Sequence, residues 1–288
     1  MPPTIEASGP NAQQIEYWNQ NGSRWVNLQD LIDPQIRPLG LQAMDAARIT
    51  TGETILDVGC GCGDTSRELA RRVGAGGKVT GVDISSVMLE RARELTQRAG
   101  LANATFRNAD AQTYRFEPAI ADLIFSRFGV MFFAQPDQAF ANLLTALRPG
   151  GRLAFVCWQQ VSENAWMFVP MLAALQHIPP PPLAGPDAPG PFAFADPEKV
   201  RGILTRAGFG DVAFESLRQD LIVGGGNNLD VTVDFMLQMG PTAAAIREAD
   251  LTLRETVRTA VRQALEPYAT DQGVRMGSAS WIVTAQRP

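Results

Sequence analysis

Histidine occurs only at His177 in this chain of 288 residues, and cysteine only at Cys60, Cys62 and Cys157. So little histidine leaves scant material for imidazole acid–base chemistry, and Cys60 and Cys62 lie too close together for a zinc site of the usual spacing, so no metal is expected. Three cysteines in a long chain suit reduced thiols rather than a disulfide framework, and they form no cluster for a radical iron–sulfur centre. No run of ~18 consecutive apolar residues is present, which excludes a membrane-spanning helix. The opening "MPPTIEASGPNAQQIEYWNQ" lacks the basic start, apolar run and cleavage site of a secretory signal and reads as a loose polar arm, so the expected location is cytoplasmic. Positive charge is also short: 25 Lys and Arg against 30 Asp and Glu give a net charge of −5, which argues against a nucleic-acid partner. The P-loop pattern G-x-x-x-x-G-K-[ST] is absent.

Apolar residues make up 45% of the chain, enough for one large core. From residue 51 to about 155, short apolar runs alternate with amphipathic stretches. "TILDV" (54–58), "KVTGVD" (78–83), "ATFRNAD" (104–110), "ADLIFS" (121–126) and "GRLAFVCW" (151–158) read as strands. Between them, "DTSRELARRVG" carries a Thr65/Glu68 capping-box pattern, and "SSVMLERARELTQRAG" starts on serine and stops at Gly100. Strand–helix alternation of this length implies right-handed βαβ units and a mainly parallel sheet. Residues 11–50 look helical in pieces, and 179–197 are proline-rich, which implies a stiff extended connector. The pattern resumes with the helical "PEKVRGILTRAGFG" and the strand-like "DVAFESL", then two helices around 231–239 and 250–265, then a last strand "SASWIVTAQ" at 278–286.

The most informative stretch is "TILDVGCGCGDTSRELA", residues 54–70. Glycines at a strand–helix turn let a ligand approach the backbone. The dinucleotide fingerprint G-x-G-x-x-G fits in neither register, because Asp64 or Ser66 stands where its last glycine belongs. Asp57, at the end of the strand, would repel a pyrophosphate from the helix-end amides and welcome a cation. Asp83 ends the second strand, where a carboxylate can accept both ribose hydroxyls. Asp110 ends the third, where a carboxylate can accept from an adenine amino group while the Ala111 amide serves the ring. An amine, a ribose and a base together have the layout of S-adenosylmethionine.

In order and spacing, "ILDVGCGCG", "VTGVDISSVMLERA", "RNADAQ", "ADLIFSRFGVMFF" and "ALRPGGRLAF" closely resemble the motifs of class I S-adenosylmethionine-dependent methyltransferases of the small-molecule kind, similar to quinone-biosynthesis C-methyltransferases. The resemblance is strong over 50–160, moderate over 192–217 and weak elsewhere. It implies a Rossmann-like seven-stranded α/β sheet, mainly parallel, with helices on both faces and an antiparallel last strand. It also implies that Asp57, Gly59, Gly61 and Gly63 meet the methionine end, Asp83 the ribose, and Asp110 and Ala111 the adenine. Ile84 and Met88 would pack on the adenine face, with Ser126, Arg127 and Phe128 near the departing methyl group. The chain would then divide into a helical amino-terminal arm (1–50), a cofactor-binding core (51–217, with an insertion at 159–195), a helical lid (218–277) and the last core strand (278–288). The arm, with Tyr17, Trp18 and Trp25, is either a buried helix face or a closure over the cofactor.

No residue stands out as a general base. Tyr17, Glu16, His177 and Tyr268 are candidates, while Arg127 is a candidate anchor for an acidic acceptor. The acceptor is expected to be a small, partly apolar molecule, and S-adenosylhomocysteine the product. A homodimer is compatible with the helical surfaces. The rival readings are a cofactor-binding protein without methyl transfer and a nicotinamide-dependent oxidoreductase, which shares the fold and the ribose aspartate.

Overall fold

The computed structural model describes residues 5, 8–180, 185, 187–246 and 250–288. The alternation read from the sequence folds into one sheet. Its parallel part holds β1 (Thr54–Val58), β2 (Lys78–Asp83), β3 (Ala104–Asn108), β4 (Ala121–Arg127) and β5 (Leu147–Trp158). Beyond β5 come β6 (Gly210–Val223), the two-residue β7 (Ala269–Thr270) and β8 (Gly273–Gln286). The spatial order is β3-β2-β1-β4-β5-β8-β6, with β7 on β8, and β8 runs antiparallel to both β5 and β6. The antiparallel last strand therefore lies where the sequence leads one to expect it, with Trp281 opposite Cys157.

Helices make the crossovers: α2 (Asp64–Val73) and α3 (Ser86–Arg98) follow β1 and β2, and α4 (Pro136–Ala146) joins β4 to β5. Next come α5 (Ala165–Leu175) and α6 (Pro197–Ala207), between β5 and β6. Three more, α7 (Leu229–Met236), α8 (Gly240–Ile246) and α9 (Leu251–Leu265), separate β6 from β7. The core packs Phe125, Phe140, Phe155 and Phe194 out of water against the sheet. Chain order reverses between β1 and β4, and in open α/β sheets such a reversal marks the ligand crevice, which here falls beyond the carboxyl ends of β1, β2 and β4.

Three local expectations change. Residues 12–46 form one helix, α1 (Ala12–Ala46), in place of several pieces. Pro34 and Pro38 lie inside it at ~3 kcal/mol each, but Ile15, Leu28, Ile32, Ile36, Leu39 and Met44 are buried on one stripe, and at ~1.5–3 kcal/mol apiece their burial outweighs the prolines. The Thr65/Glu68 capping box does not form. Gly63 is the N-cap of α2, Thr65 turns to Asp57, and Glu68 pairs with Arg71 and Arg72. Strands β6 and β8 each run to 14 residues, past the charged Arg218 and Asp220 that end the apolar signal, because the outer strand keeps pairing with β8 while facing water. Ser85 does cap α3, accepting from Met88 N at 3.5 Å. Of the expected polar arm and proline-rich connector, residues 1–4, 6, 7, 181–184 and 186 lie outside the described residues.

Candidate functional site

Strand β1 delivers Asp57 to the crevice fully buried. Its Oδ2 accepts from Thr65 Oγ1 at 2.6 Å and Ser66 Oγ at 2.5 Å, while its Oδ1 has no hydrogen-bond partner. Burial raises the carboxyl pKa to about 6, against the lowering effect of the two hydroxyls and the Arg127 charge. A buried carboxylate oxygen left without a donor costs on the order of 1–3 kcal/mol or more, so this atom is ready for a cationic or N–H partner.

The glycines that follow all take positive φ: 67° at Gly59, 52° at Gly61 and 74° at Gly63. Two are also forced by packing. A Cβ on Gly59 would stand 2.7 Å from Gly129 Cα, and one on Gly63 2.9 Å from Ala92 Cβ. Gly61 differs, since a Cβ there would meet only Met88 Sδ at 3.9 Å and Trp25 Nε1 at 4.0 Å.

Asp83, at the end of β2, is also buried, which raises its pKa against the hydrogen bonds from the Ser85, Gly61 and Ile84 amides. Its Oδ2 accepts from Gly61 N and its Oδ1 from Ser85 N, both at 2.8 Å, so it ties the glycine turn to the start of α3. With about four lone-pair sites and three amide donors, the carboxylate keeps capacity for a further donor. Met88 is buried below, with Ile84 half-buried beside the turn. Asp110 follows β3. Its Oδ1 accepts from Gln112 N at 2.9 Å and Asn11 Nδ2 at 3.2 Å, and its Oδ2 from Thr113 Oγ1 at 3.3 Å. The buried Ala111 offers its carbonyl to Asn142.

The end of β4 forms the opposite wall. Ser126 Oγ accepts from Gly129 N at 3.2 Å, which tightens a turn that holds Phe128 at φ 60°, a conformation that costs a non-glycine residue on the order of 1–3 kcal/mol. The Phe128 ring lies flat on Trp158, with centroids 4.0 Å apart and planes 11° from parallel, and Trp166 leans on Trp158 at 5.4 Å. Trp166 Nε1 is buried without an acceptor. Arg127 joins a buried ion cluster: it reaches Asp64 at 2.8 Å and Asp33 at 3.3 Å, and Arg37 also pairs with Asp64. Two carboxylates already engage the guanidinium, which leaves its expected anchoring role without a free charge.

Other sequence candidates are placed elsewhere. Tyr17 is 40% exposed on α1, edge-on to Trp18. Glu16 bonds Gln20 on the outer face of α1. His177 is exposed just past α5, where with Thr252, Glu255, Thr256, Thr259, Ala260 and Gln263 it lines an open groove of about 650 Å³. Tyr268 is half-buried after α9. No hydrogen bond joins these four to the Asp57 turn among the described residues. Burial pushes the Cys60 and Cys157 thiols up and Cys62 to about 12, so none is a thiolate nucleophile near neutrality. Among the described residues no cluster of His, Cys, Asp and Glu suits a metal ion, and no helix is long and apolar enough to cross a membrane.

The sequence reading missed Asp33 and Asp64 as partners of Arg127, Arg37 as a second partner of Asp64, and Asn11 as a partner of Asp110. All of these contacts span long sequence separations, and no local pattern marks them.

Residues 55–151 match the family model of a methyltransferase domain. Over 118 residues the chain is 36% identical to the aklanonic acid methyltransferase DauC of Streptomyces sp. strain C5, a match covering 41% of this chain and 54% of that protein. It is 34% identical over 111 residues to the ubiquinone/menaquinone biosynthesis C-methyltransferase UbiE of Idiomarina loihiensis, covering 38% and 44%. The chain thus spans about half the length of these curated relatives. Among solved structures, phosphoethanolamine N-methyltransferase 2 of Haemonchus contortus, in complex with phosphomonomethylethanolamine and S-adenosylhomocysteine, superposes with a TM-score of 0.58 at 20% identity, over 96% of this chain and 59% of that one. The YcgJ protein of Bacillus subtilis does so at 0.56 and 15% identity, over 86% and 97%. At such identities these structures speak for the fold.

Proposed function

Because residues 55–151 match the model of a methyltransferase domain, we propose that the protein transfers a methyl group from S-adenosylmethionine to a small, partly apolar organic acceptor. The observation that carries this reading is the unpartnered, fully buried Asp57 oxygen inside a glycine turn. A dinucleotide would bring phosphate to that oxygen, whereas S-adenosylmethionine brings an ammonium. The residues fit the cofactor in three further respects: Gly61 is a glycine without a packing clash to explain it, Asp83 retains acceptor capacity, and Asp110 stands beside the Ala111 amide.

When bound, the cofactor supplies an electrophilic methyl group on a sulfonium. The chain's part is to hold and align. Asp57 holds the ammonium, Asp83 the ribose hydroxyls and Asp110 the adenine amine, and Met88 and Ile84 cover the base. The Phe128–Trp158–Trp166 wall packs the acceptor and excludes water. Alignment and desolvation of this kind contribute up to ~7–11 kcal/mol, so a dedicated base is needed only for an acceptor that must lose a proton. Helices α7 to α9 roof the acceptor side. DauC and UbiE both bear the names of small-molecule methyltransferases, in keeping with this reading. It describes a cytoplasmic enzyme, free or as a homodimer, acting on a dissolved metabolite.

The test is transfer of tritiated methyl from S-adenosylmethionine across a panel of phenols, quinols, aromatic acids and amines. Incorporation into at least one apolar aromatic member, with release of S-adenosylhomocysteine, is the expected result. Cofactor binding with no transfer to any member would favour a binding protein that has kept the pocket.

A further inference from the structure

Helix α1 lies along the whole row of candidate cofactor residues. Asn11, just before its first turn, donates to Asp110 and accepts from Ala134 N at 3.3 Å. Two turns on, Trp18 packs edge-on against Phe132, with ring centroids 5.1 Å apart. At Gly22 the helix backbone comes so close to α3 that a Cβ would stand 2.4 Å from Ser85 Oγ, next to Asp83. Three residues further, on the same face, Trp25 brings its indole Nε1 over Gly61. Beyond that, Asp33 and Arg37 tie α1 to Arg127 and Asp64. One helical stripe therefore passes the base, ribose and amino-acid positions in turn.

Trp25 is the member of this stripe that fits a ligand best. Gly61 is the one glycine of the turn whose missing side chain is not explained by a clash, and Trp25 Nε1 and Met88 Sδ are the atoms that a Cβ there would just touch. The indole is half-buried, and its N–H has no hydrogen-bond acceptor among the described residues. An indole N–H is a donor only, so in this position it matches an anion. Asp57 answers the ammonium of an amino-acid group; of the side-chain donors around the turn, Thr65 and Ser66 already donate to Asp57, Arg67 to the Cys62 carbonyl, and Arg37 and Arg127 pair with Asp64, whereas the Trp25 N–H is uncommitted.

Resting on the S-adenosylmethionine reading, we propose that Trp25 is part of the cofactor site and that its indole N–H donates to the carboxylate at the cofactor's amino-acid end. The amino-terminal helix is then a wall of the site as well as a brace for the core.

Two probes that differ in that end separate this role from general packing: S-adenosylhomocysteine, which carries the amino acid, and 5′-methylthioadenosine, which lacks it. Trp25→Phe keeps an aromatic ring and removes the N–H. By calorimetry the variant should bind S-adenosylhomocysteine at least fivefold more weakly and 5′-methylthioadenosine within twofold of wild type, with an unchanged melting temperature. Should the variant fold poorly, the ¹⁵N-indole resonance of Trp25 in the wild-type protein gives the same answer, shifting with S-adenosylhomocysteine and not with 5′-methylthioadenosine. Equal losses for both probes, no loss for either, or an unmoved Trp25 resonance would overturn the proposal while leaving the cofactor reading intact. Failure of the wild-type protein to bind S-adenosylhomocysteine would instead remove the reading it rests on.

Discussion

Asp57 stands at the start of a glycine turn leading into a helix, the place where a dinucleotide-binding turn receives a pyrophosphate, and its carboxylate reverses the charge that such a turn selects. Its pKa, raised from 3.8 to about 6 by burial, means that the folded protein binds the proton more tightly than the unfolded chain. The free protein therefore gains stability from a protonated Asp57 below pH ~4 and loses that contribution as pH rises through about 6. A bound ammonium reverses the preference, because it needs the ionised form. Affinity for S-adenosylhomocysteine should accordingly fall as pH drops from 7 to 5, and Asp57→Asn should bind weakly and without that pH dependence. Calorimetry at pH 5, 6, 7 and 8 on both proteins checks this, and a flat wild-type profile would contradict it. At this scale the sequence is legible where chemistry is local. The Asp57–Gly59–Gly61–Gly63 turn is visible as a string of letters, as is the carboxylate at the end of β2. The Phe128–Trp158 stack and the strained Phe128 backbone are not, because they depend on how two strand ends meet.

Among the elements, α1 departs furthest from what its residues suggest alone. Two internal prolines and a run of Asn, Gly and Ser imply breaks, and the long helix persists because the core and the Arg127 cluster hold it in place. The carboxylates that Arg127 joins lie 63 and 94 positions away in the sequence, too far for any periodicity to reveal. Arg127 is 9% exposed, and burial raises the pKa of Asp33, whose main compensation is the Arg127 charge. Removing the cation leaves Asp33 and Asp64 without their shared partner. Arg127→Ala should lower unfolding free energy by about 3–5 kcal/mol, with part of the loss restored by adding Asp33→Asn. Urea denaturation measures both, and a loss below about 1 kcal/mol would mean that the cluster does not anchor α1. The β-strands of the core were legible for the opposite reason. Their apolar runs are buried on both faces, as in β1 and β5, so burial and sequence pattern coincide. The outer half of β6 alternates with charge and was not legible as strand.

Across the whole molecule, topology places these residues together. Reversal of strand order between β1 and β4 marks the crevice position, the parallel strands bring Asp57, Asp83 and Arg127 to the same end of the sheet, and α1 crosses that end. Helices α5 and α7 to α9 pack on one another, outside the stretch 55–151 that matches the methyltransferase model. The central claim is that this crevice selects a sulfonium amino acid over a phosphate-bearing nucleotide. Isothermal titration of the purified protein with S-adenosylmethionine, with NADH alongside, tests it most directly. Micromolar binding of S-adenosylmethionine and none of NADH is the predicted result; binding of NADH without S-adenosylmethionine would contradict it.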